Sequence, residues 1–292
     1  MSISLDSCCL ACHFRRNVET AQRLGDGKTA TAFAKALMEL YLSAPEHFSS
    51  PCLAPGTTAL FQKYYGLDAD RFRQEKLDSN RFVLARLEDI RARIEAAPDP
   101  VLAGIQFAIL GNYIDFSALH AEVSFDKLDE LLHQAHHMAL DEDCCASFCA
   151  DLERGKRLLY LTDNAGEIGF DRLLAEQLAK RYPHLAITFC VRGGPAMNDA
   201  TREDAACVGI SFPVIDNGNT IPGTELSALG PEAKAAFEAA DVILAKGQGN
   251  AETLLGCGYP VYYAFLVKCA RFMELFGKEK LTPMFMKEAL PG

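Results

Sequence analysis

Four short apolar runs in the second half of the chain constrain the fold more than any other feature: Leu158–Thr162 (LLYLT), Ala186–Val191 (AITFCV), Val242–Ala245 (VILA) and Val261–Phe265 (VYYAF). Phe212–Ile215 (FPVI) is a candidate fifth. The first three are each followed by a polar, glycine-bearing turn and then by a helix-like segment. Strands alternating with helices imply a mainly parallel sheet covered on both faces. The expected fold class is therefore α/β.

The first half has a different texture and reads as mostly helical. Asn17 to Leu40 is rich in Ala, Leu, Glu and Lys. Phe82 to Ala97 places Val83, Leu84, Leu87, Ile90 and Ile94 at helical spacing, which predicts one amphipathic helix. Val101 to Phe116 is strongly apolar and predicts a buried helix. Proline and glycine clusters around Ser50–Thr58 and Pro98–Pro100 predict breaks. The expected division is a helical N-terminal domain over 1–150 and an α/β domain over 151–292.

Hydrophobic residues at 49% and charged residues at 23% allow a sizeable core, so disorder is not expected. The net charge of −10, without a Lys/Arg cluster, argues against a nucleic-acid partner. No apolar run is long enough to span a membrane, and Met1–Asp6 does not open like a secretory signal. A cytoplasmic location is the expectation. The eleven cysteines, with adjacent pairs Cys8–Cys9 and Cys144–Cys145, then read as free thiols.

In an open α/β sheet, ligands sit beyond the carboxyl ends of the strands. Three loops fall there. Asp163-Asn164-Ala165-Gly166-Glu167 follows LLYLT; Asp163 and Asn164 offer hard oxygen ligands for Mg²⁺ or Mn²⁺, or else cap the next helix. Arg192 to Thr201 follows AITFCV; Asp199 is a candidate second carboxylate, and Arg192 either pairs with phosphate or is a surface residue. Lys246-Gly247-Gln248-Gly249-Asn250 follows VILA; its glycines expose backbone N–H groups to an anion and Lys246 adds charge, although no P-loop pattern is present. Two loops with oxygen ligands and one anion cradle are what metal-assisted phosphoryl transfer requires.

DNAGE, NDAT and KGQGN, in that order after successive strands, resemble the DUF89 family of damage-control phosphatases. Cys9-Leu10-Ala11-Cys12, Lys76–Asn80 (KLDSN) and Gly111–Phe116 (GNYIDF) resemble its stand-alone prokaryotic branch. The resemblance implies a helical region on a Rossmann-like three-layer α/β/α core. It also implies a divalent metal on Asp163, Asn164 and Asp199, a phosphate-contacting Lys246, and hydrolysis of phosphate esters of sugars or damaged phosphometabolites. The expected cofactor is Mn²⁺, Mg²⁺, Co²⁺ or Ni²⁺, and the expected partner a small phosphorylated metabolite. Gly247, Gly249, Asn250 and Arg192 are expected to help bind substrate. Glu167 is expected either to position water or act as a base, or to support and cap. Asn112 and Asp115 line the pocket's helical wall or satisfy nearby backbone.

A haloacid-dehalogenase-type aspartyl-phosphate route is disfavoured, because Ala165 stands where the second Asp belongs. A non-catalytic phospho-ligand-binding module and a carboxyl methyltransferase are the competing readings. The CxxC of Cys9 and Cys12 lacks a second half for a zinc site, and His133, His136 and His137 lack the HExxH glutamate. Packed or free thiols and a partly exposed helical face are the expectations for these groups.

Overall fold

A computed structural model describes residues 3–114 and 124–288. Six strands form one sheet: β1 (Arg157–Leu161), β2 (Ala186–Val191), β3 (Val214–Asp216), β4 (Val242–Lys246), β5 (Val261–Leu266) and β6 (Pro283–Lys287). Their order is β3-β2-β1-β4-β5-β6. The first five strands pair in parallel, and β6 runs antiparallel to β5. The four apolar runs are thus strands, and FPVI lies on the third, which begins at Val214. The sixth strand is an addition to the sequence-based expectation. It opens on a proline, which a first strand position at a sheet edge tolerates, and carries no β-branched residue.

Among the described residues, eight α-helices precede the sheet: α1 (Ser7–Leu24), α2 (Gly27–Ser43), α3 (Ala54–Tyr65), α4 (Arg73–Leu84), α5 (Leu87–Glu95), α6 (Pro100–Gly111), α7 (Phe125–His133) and α8 (Glu142–Arg154). Five lie between or after strands: α9 (Glu167–Arg181), α10 (Arg202–Cys207), α11 (Pro231–Ala239), α12 (Gly247–Leu254) and α13 (Ala270–Phe276). Among the described residues, no helix is long and apolar enough to cross a membrane.

Strand alternation sorts the core into two faces. Leu158 and Tyr160 join Ile187, Phe189, Val242 and Leu244 on the face covered by α5, α6, α8 and α9. Leu159, Leu161, Ile243, Ala245, Tyr263 and Phe265 face α11, α12 and α13. The result is the three-layer α/β/α arrangement. The first apolar cluster runs without interruption from Val83 to Phe285, across residue 150. Helices α1 to α3 keep a smaller cluster of their own around Phe33, Leu37 and Phe61.

Helix α6 is buried at every residue from Ala103 to Gly111. Asp99 caps it, accepting from the N–H groups of Val101 and Leu102, and Pro100 occupies its first turn, where a missing N–H costs nothing. Each large apolar side chain it buries contributes roughly 1.5–3 kcal/mol. The helix expected over 82–97 is instead two. The chain turns at Ala85–Arg86, where Arg86 N–H donates to the Val83 carbonyl and the guanidinium lies 3.6 Å from the Phe82 ring centroid while pairing with Asp129. That turn leaves Leu84 exposed and Val83, Leu87, Ile90 and Ile94 inside. Likewise Gly25–Asp26 separates α1 from α2, with Asp26 capping the second. The break expected at 50–58 is a short 3₁₀ turn, Ser50–Leu53, that leads straight into α3.

After β1 the chain builds β2 and β3 to one side, then returns to place β4 on the other. The carboxyl ends of β1 and β4 therefore flank a topological switch point, where α/β sheets open a crevice.

Candidate active site

Asp163 and Asn164 leave β1 directly above this crevice. Their segment is stitched to the one carrying Asp199 by backbone bonds. Asn164 and Asp199 form an antiparallel bridge, Ala200 N–H donates to the Asp163 carbonyl at 2.7 Å, and Ala165 N–H donates to the Asn198 carbonyl at 2.9 Å. Side chains separated by thirty-odd positions are thereby neighbours. All three are nearly enclosed: Asp163 is 6%, Asn164 2% and Asp199 3% exposed.

The carboxylates do not sit in apolar surroundings unaided. Asp163 Oδ2 accepts from Asn112 Nδ2 at 2.8 Å and Asn164 Nδ2 at 2.7 Å. Arg192, fully buried, donates from Nε to Asp199 Oδ2 at 2.6 Å, and its Nη2 stands 4.0 Å from Asp163 Oδ1. The same Nη2 donates to the Thr162 carbonyl. Arg192 thus grips both carboxylate-bearing segments from beneath. Its placement is that of a buried strut, not of a surface arginine.

Glu167 opens α9 and is completely buried. It accepts from Asn112, from Asn164 Nδ2 at 2.8 Å and from Lys246 Nζ at 2.7 Å. Lys246 ends β4. Its three hydrogens go to Glu167, to Asp171 at 2.9 Å and to the Ala108 carbonyl of α6 at 2.8 Å. Burial alone would lower its pKa, but Asp171 and Glu167 outweigh burial and raise it. Asp171 is pushed above the usual carboxylate range by burial, against the attraction of Lys246. Tyr160 donates to it from the sheet, and burial holds that phenol protonated.

Several residues expected to touch substrate are committed elsewhere. Lys246 has given all three donors to groups of the protein, because two carboxylates and a carbonyl already surround it. Asn112 donates to Asp163 and Glu167 and accepts from Leu266 N–H, which ties α6, β1 and β5 together. Asn250 donates to the carbonyls of Thr162 and Lys246 and accepts from Thr224 and Arg192. Gly247 has φ +80°, and a Cβ there would land 1.9 Å from Asp163 Oδ2, so glycine is required where α12 starts beside the carboxylate. Gly249 serves close packing: its Cβ would lie 2.5 Å from the Pro222 carbonyl oxygen. Asp115 lies outside the described residues.

Other groups join the site beyond those expected. Asp171 is four residues after Glu167, so it shares one face of α9, a periodicity the sequence does carry. Asn198 donates to Asn164 Oδ1 at 2.7 Å while its own Oδ1 is buried with no hydrogen-bond partner. Thr224, which donates to Asn250 Oδ1, gives no local signal.

The donors that meet here are carboxylate and amide oxygens, the chemistry that suits a hard divalent cation. Asp163 and Asp199 lie against Arg192, and Glu167 and Asp171 pair with Lys246. Carboxylates gathered beside the orphaned amide oxygen of Asn198 fit a bound cation. Among the described residues, no three His, Cys, Asp or Glu side chains form a metal cluster by themselves, so the amides are needed. The discounted motifs supply none either. His133 ends α7 and His137 falls in a separate 3₁₀ turn, so the two share no helical face. Cys9 and Cys12 lie on α1 as free thiols.

A family model described as a damage-control phosphatase ARMT1-like domain matches residues 5–282. The chain belongs to this family. Its DUF89 character also appears in structure: a crystal structure of a DUF89 family protein from Pyrococcus horikoshii superimposes with a TM-score of 0.82 at 26% identity, covering 98% of this chain and 99% of that one. A protein named damage-control phosphatase from Archaeoglobus fulgidus is 31% identical over 242 residues, 79% of this chain and 81% of its own. Another so named, from P. horikoshii, is 35% identical over 194 residues, 66% of this chain and 65% of its own. An uncharacterised protein of Methanocaldococcus jannaschii is 31% identical over 291 residues, 94% and 93% of the two chains.

Proposed function

We propose that this member of the damage-control phosphatase family is a metal-dependent phosphatase that hydrolyses phosphate monoesters of small metabolites, sugar phosphates or damaged phosphometabolites. The observation that carries the reading is the backbone stitching of Asn164 to Asp199, which gathers three oxygen ligands at the switch point of the sheet.

Asp163, Asn164 and Asp199 would hold one divalent cation, Mn²⁺, Mg²⁺, Co²⁺ or Ni²⁺. When bound, such an ion supplies Lewis acidity toward a phosphoryl oxygen and a more acidic water. The remaining steps belong to the chain. Arg192 fixes Asp199 in place. Asn112 donates to the carboxylate of Asp163 and Glu167 accepts from the amide of Asn164, which fixes the orientation of both side chains. Lys246 donates to Glu167 inside the protein and so acts on the pocket through that carboxylate. Gly247, at the start of α12, lies beside Asp163, and the first-turn N–H groups of that helix would offer an anion its positive end. The small metabolite is held by its phosphate, and the enclosed carboxylates exclude bulk water from the reacting oxygen.

The test is release of p-nitrophenol from p-nitrophenyl phosphate after EDTA treatment, followed by separate addition of Mn²⁺, Co²⁺, Ni²⁺ and Mg²⁺. Activity should vanish with the chelator and return with at least one ion. Asp163→Ala and Asp199→Ala should stay folded and inactive. Undiminished turnover in metal-free protein would overturn the proposal.

A further inference from the structure

One side chain outside the pocket touches both halves of it. Asn80 lies in α4, far from the ligands in sequence, and is 1% exposed. Its Oδ1 accepts from Gly166 N–H at 2.7 Å, in the turn that follows Asp163 and Asn164. Its Nδ2 donates to Asp204 Oδ1 at 2.9 Å, in the first turn of α10, five residues past Asp199. Both bonds fix the amide orientation, since a flipped amide would face donor with donor and acceptor with acceptor. Asp204 is held in turn. Its Oδ2 accepts from Thr201 N–H at 2.8 Å, from Thr201 Oγ1 at 2.9 Å and from the buried ammonium of Lys76 at 2.7 Å. The contact at Gly166 is close: φ is +78°, and a Cβ would meet Ser79 Cβ at 2.8 Å.

We infer that Asn80 is a positioning residue for the cation site: a clamp from the helical half that holds the Gly166 turn against the first turn of α10 and so steadies the two backbone-bridged ligand segments, with Lys76 locking Asp204 as its anchor. The inference rests on the proposed metal site. Arg192 bonds to Asp199 and the Thr162 carbonyl, and Asn80 bonds to the Gly166 N–H and Asp204, so two buried side chains tie the ligand-bearing segments together. Cation affinity depends on how those segments are held, because carboxylate and amide oxygens must all reach one ion. Loss of the clamp lets the Gly166 turn and α10 drift apart while the sheet beneath stays intact.

The experiment reads Mn²⁺ binding directly, by the free-ion EPR signal, on protein whose folding is checked by near-UV circular dichroism. Asn80→Asp places a second carboxylate against Asp204. Asn80→Ala removes both bonds without adding charge. The exchange N80D/D204N restores the hydrogen bonds to Gly166 and between positions 80 and 204 with the roles reversed, and leaves Lys76 a hydrogen bond to an amide oxygen in place of its ion pair. The carboxylate introduced in α4 accepts from Gly166 N–H and from the amide introduced in α10, and that amide keeps an oxygen for Thr201 and Lys76. The single variants should weaken Mn²⁺ binding by about 10–100-fold, and the exchange should return it to within about threefold of the parent, inside the spread of a site whose clamp bonds are remade. A folded single variant with parental Mn²⁺ affinity overturns the inference. So does an exchange that folds but stays as weak as N80D. Failure of both single variants to fold would make the clamp a part of folding alone, and also overturns it. Absence of Mn²⁺ binding in the parent protein would instead remove the proposed metal site itself.

Discussion

Gly247 stands so close to Asp163 that no side chain fits between them: a Cβ would lie 1.9 Å from the carboxylate oxygen. Gly247 follows the end of β4 and Asp163 the end of the neighbouring β1, and the contact brings the start of α12 against the first expected ligand.

Gly247→Ala therefore has two costs. The left-handed backbone, at φ +80°, adds about 1–2 kcal/mol of strain. The methyl group also displaces Asp163, and a shift of about 1 Å at a reacting centre costs on the order of 100-fold in rate. Phosphatase assay together with a thermal melt checks both; a variant with parental kcat would show that Asp163 does not need its present position.

Lys246→Met tests whether the ammonium is chiefly an internal counter-ion. Removing it strands Glu167 and Asp171, both fully buried, and such a loss costs about 3–5 kcal/mol. Urea unfolding measures it. A loss below about 1 kcal/mol, the range of exposed ion pairs, would mean that the carboxylates find other partners.

Arg192→Lys keeps the charge but not the fork that reaches Asp199, Thr162 and Asn250 together. As a strut beneath the site, Arg192 should affect kcat, lowering it about tenfold or more, with little change in KM. The opposite pattern, a raised KM at constant kcat, would return Arg192 to a substrate-binding role.

Asp151 links α8 to the sheet edge and gives stability an acid limb. Burial raises its pKa, but bonds from Lys287, Tyr262 and Arg154 outweigh that and hold it at about 2, below the ordinary 3.8. A carboxylate with a depressed folded pKa stabilises above its unfolded pKa and loses that contribution as pH falls through the folded one. The melting-temperature gap between the parent and Asp151→Asn should thus be full above pH 3.8 and close as pH falls towards 2. A gap that is constant across this range would refute the assignment.

The sequence displays what is local. A strand followed by Asp163-Asn164 and a glycine is legible, because ligand types, turn residue and helix start lie within five positions. The partner of Lys246 is not: Glu167 is 79 positions away, and only the fold decides that the ammonium turns inward. Arg192 reads as a loop residue next to two glycines, and its complete burial follows from the bridge to Thr201, which no periodicity reveals. The division of the 82–97 segment at Arg86 depends on Phe82 and Asp129, a contact between α4 and α7. Edge strand β6 leaves little mark in the sequence because an edge demands so little of its residues.

Helix α6 has a consequence for how this molecule can be divided. It sends the Ala108 carbonyl to Lys246 and, from its C-terminal cap, Asn112 to Asp163 and Glu167, so the back wall of the crevice comes from the earlier half of the chain. A fragment starting at residue 151 would retain all three proposed ligand side chains yet open its rear to water, with the lysine hydrated and the first aspartate missing a donor. Candidate ligands confined to one half do not make that half self-sufficient.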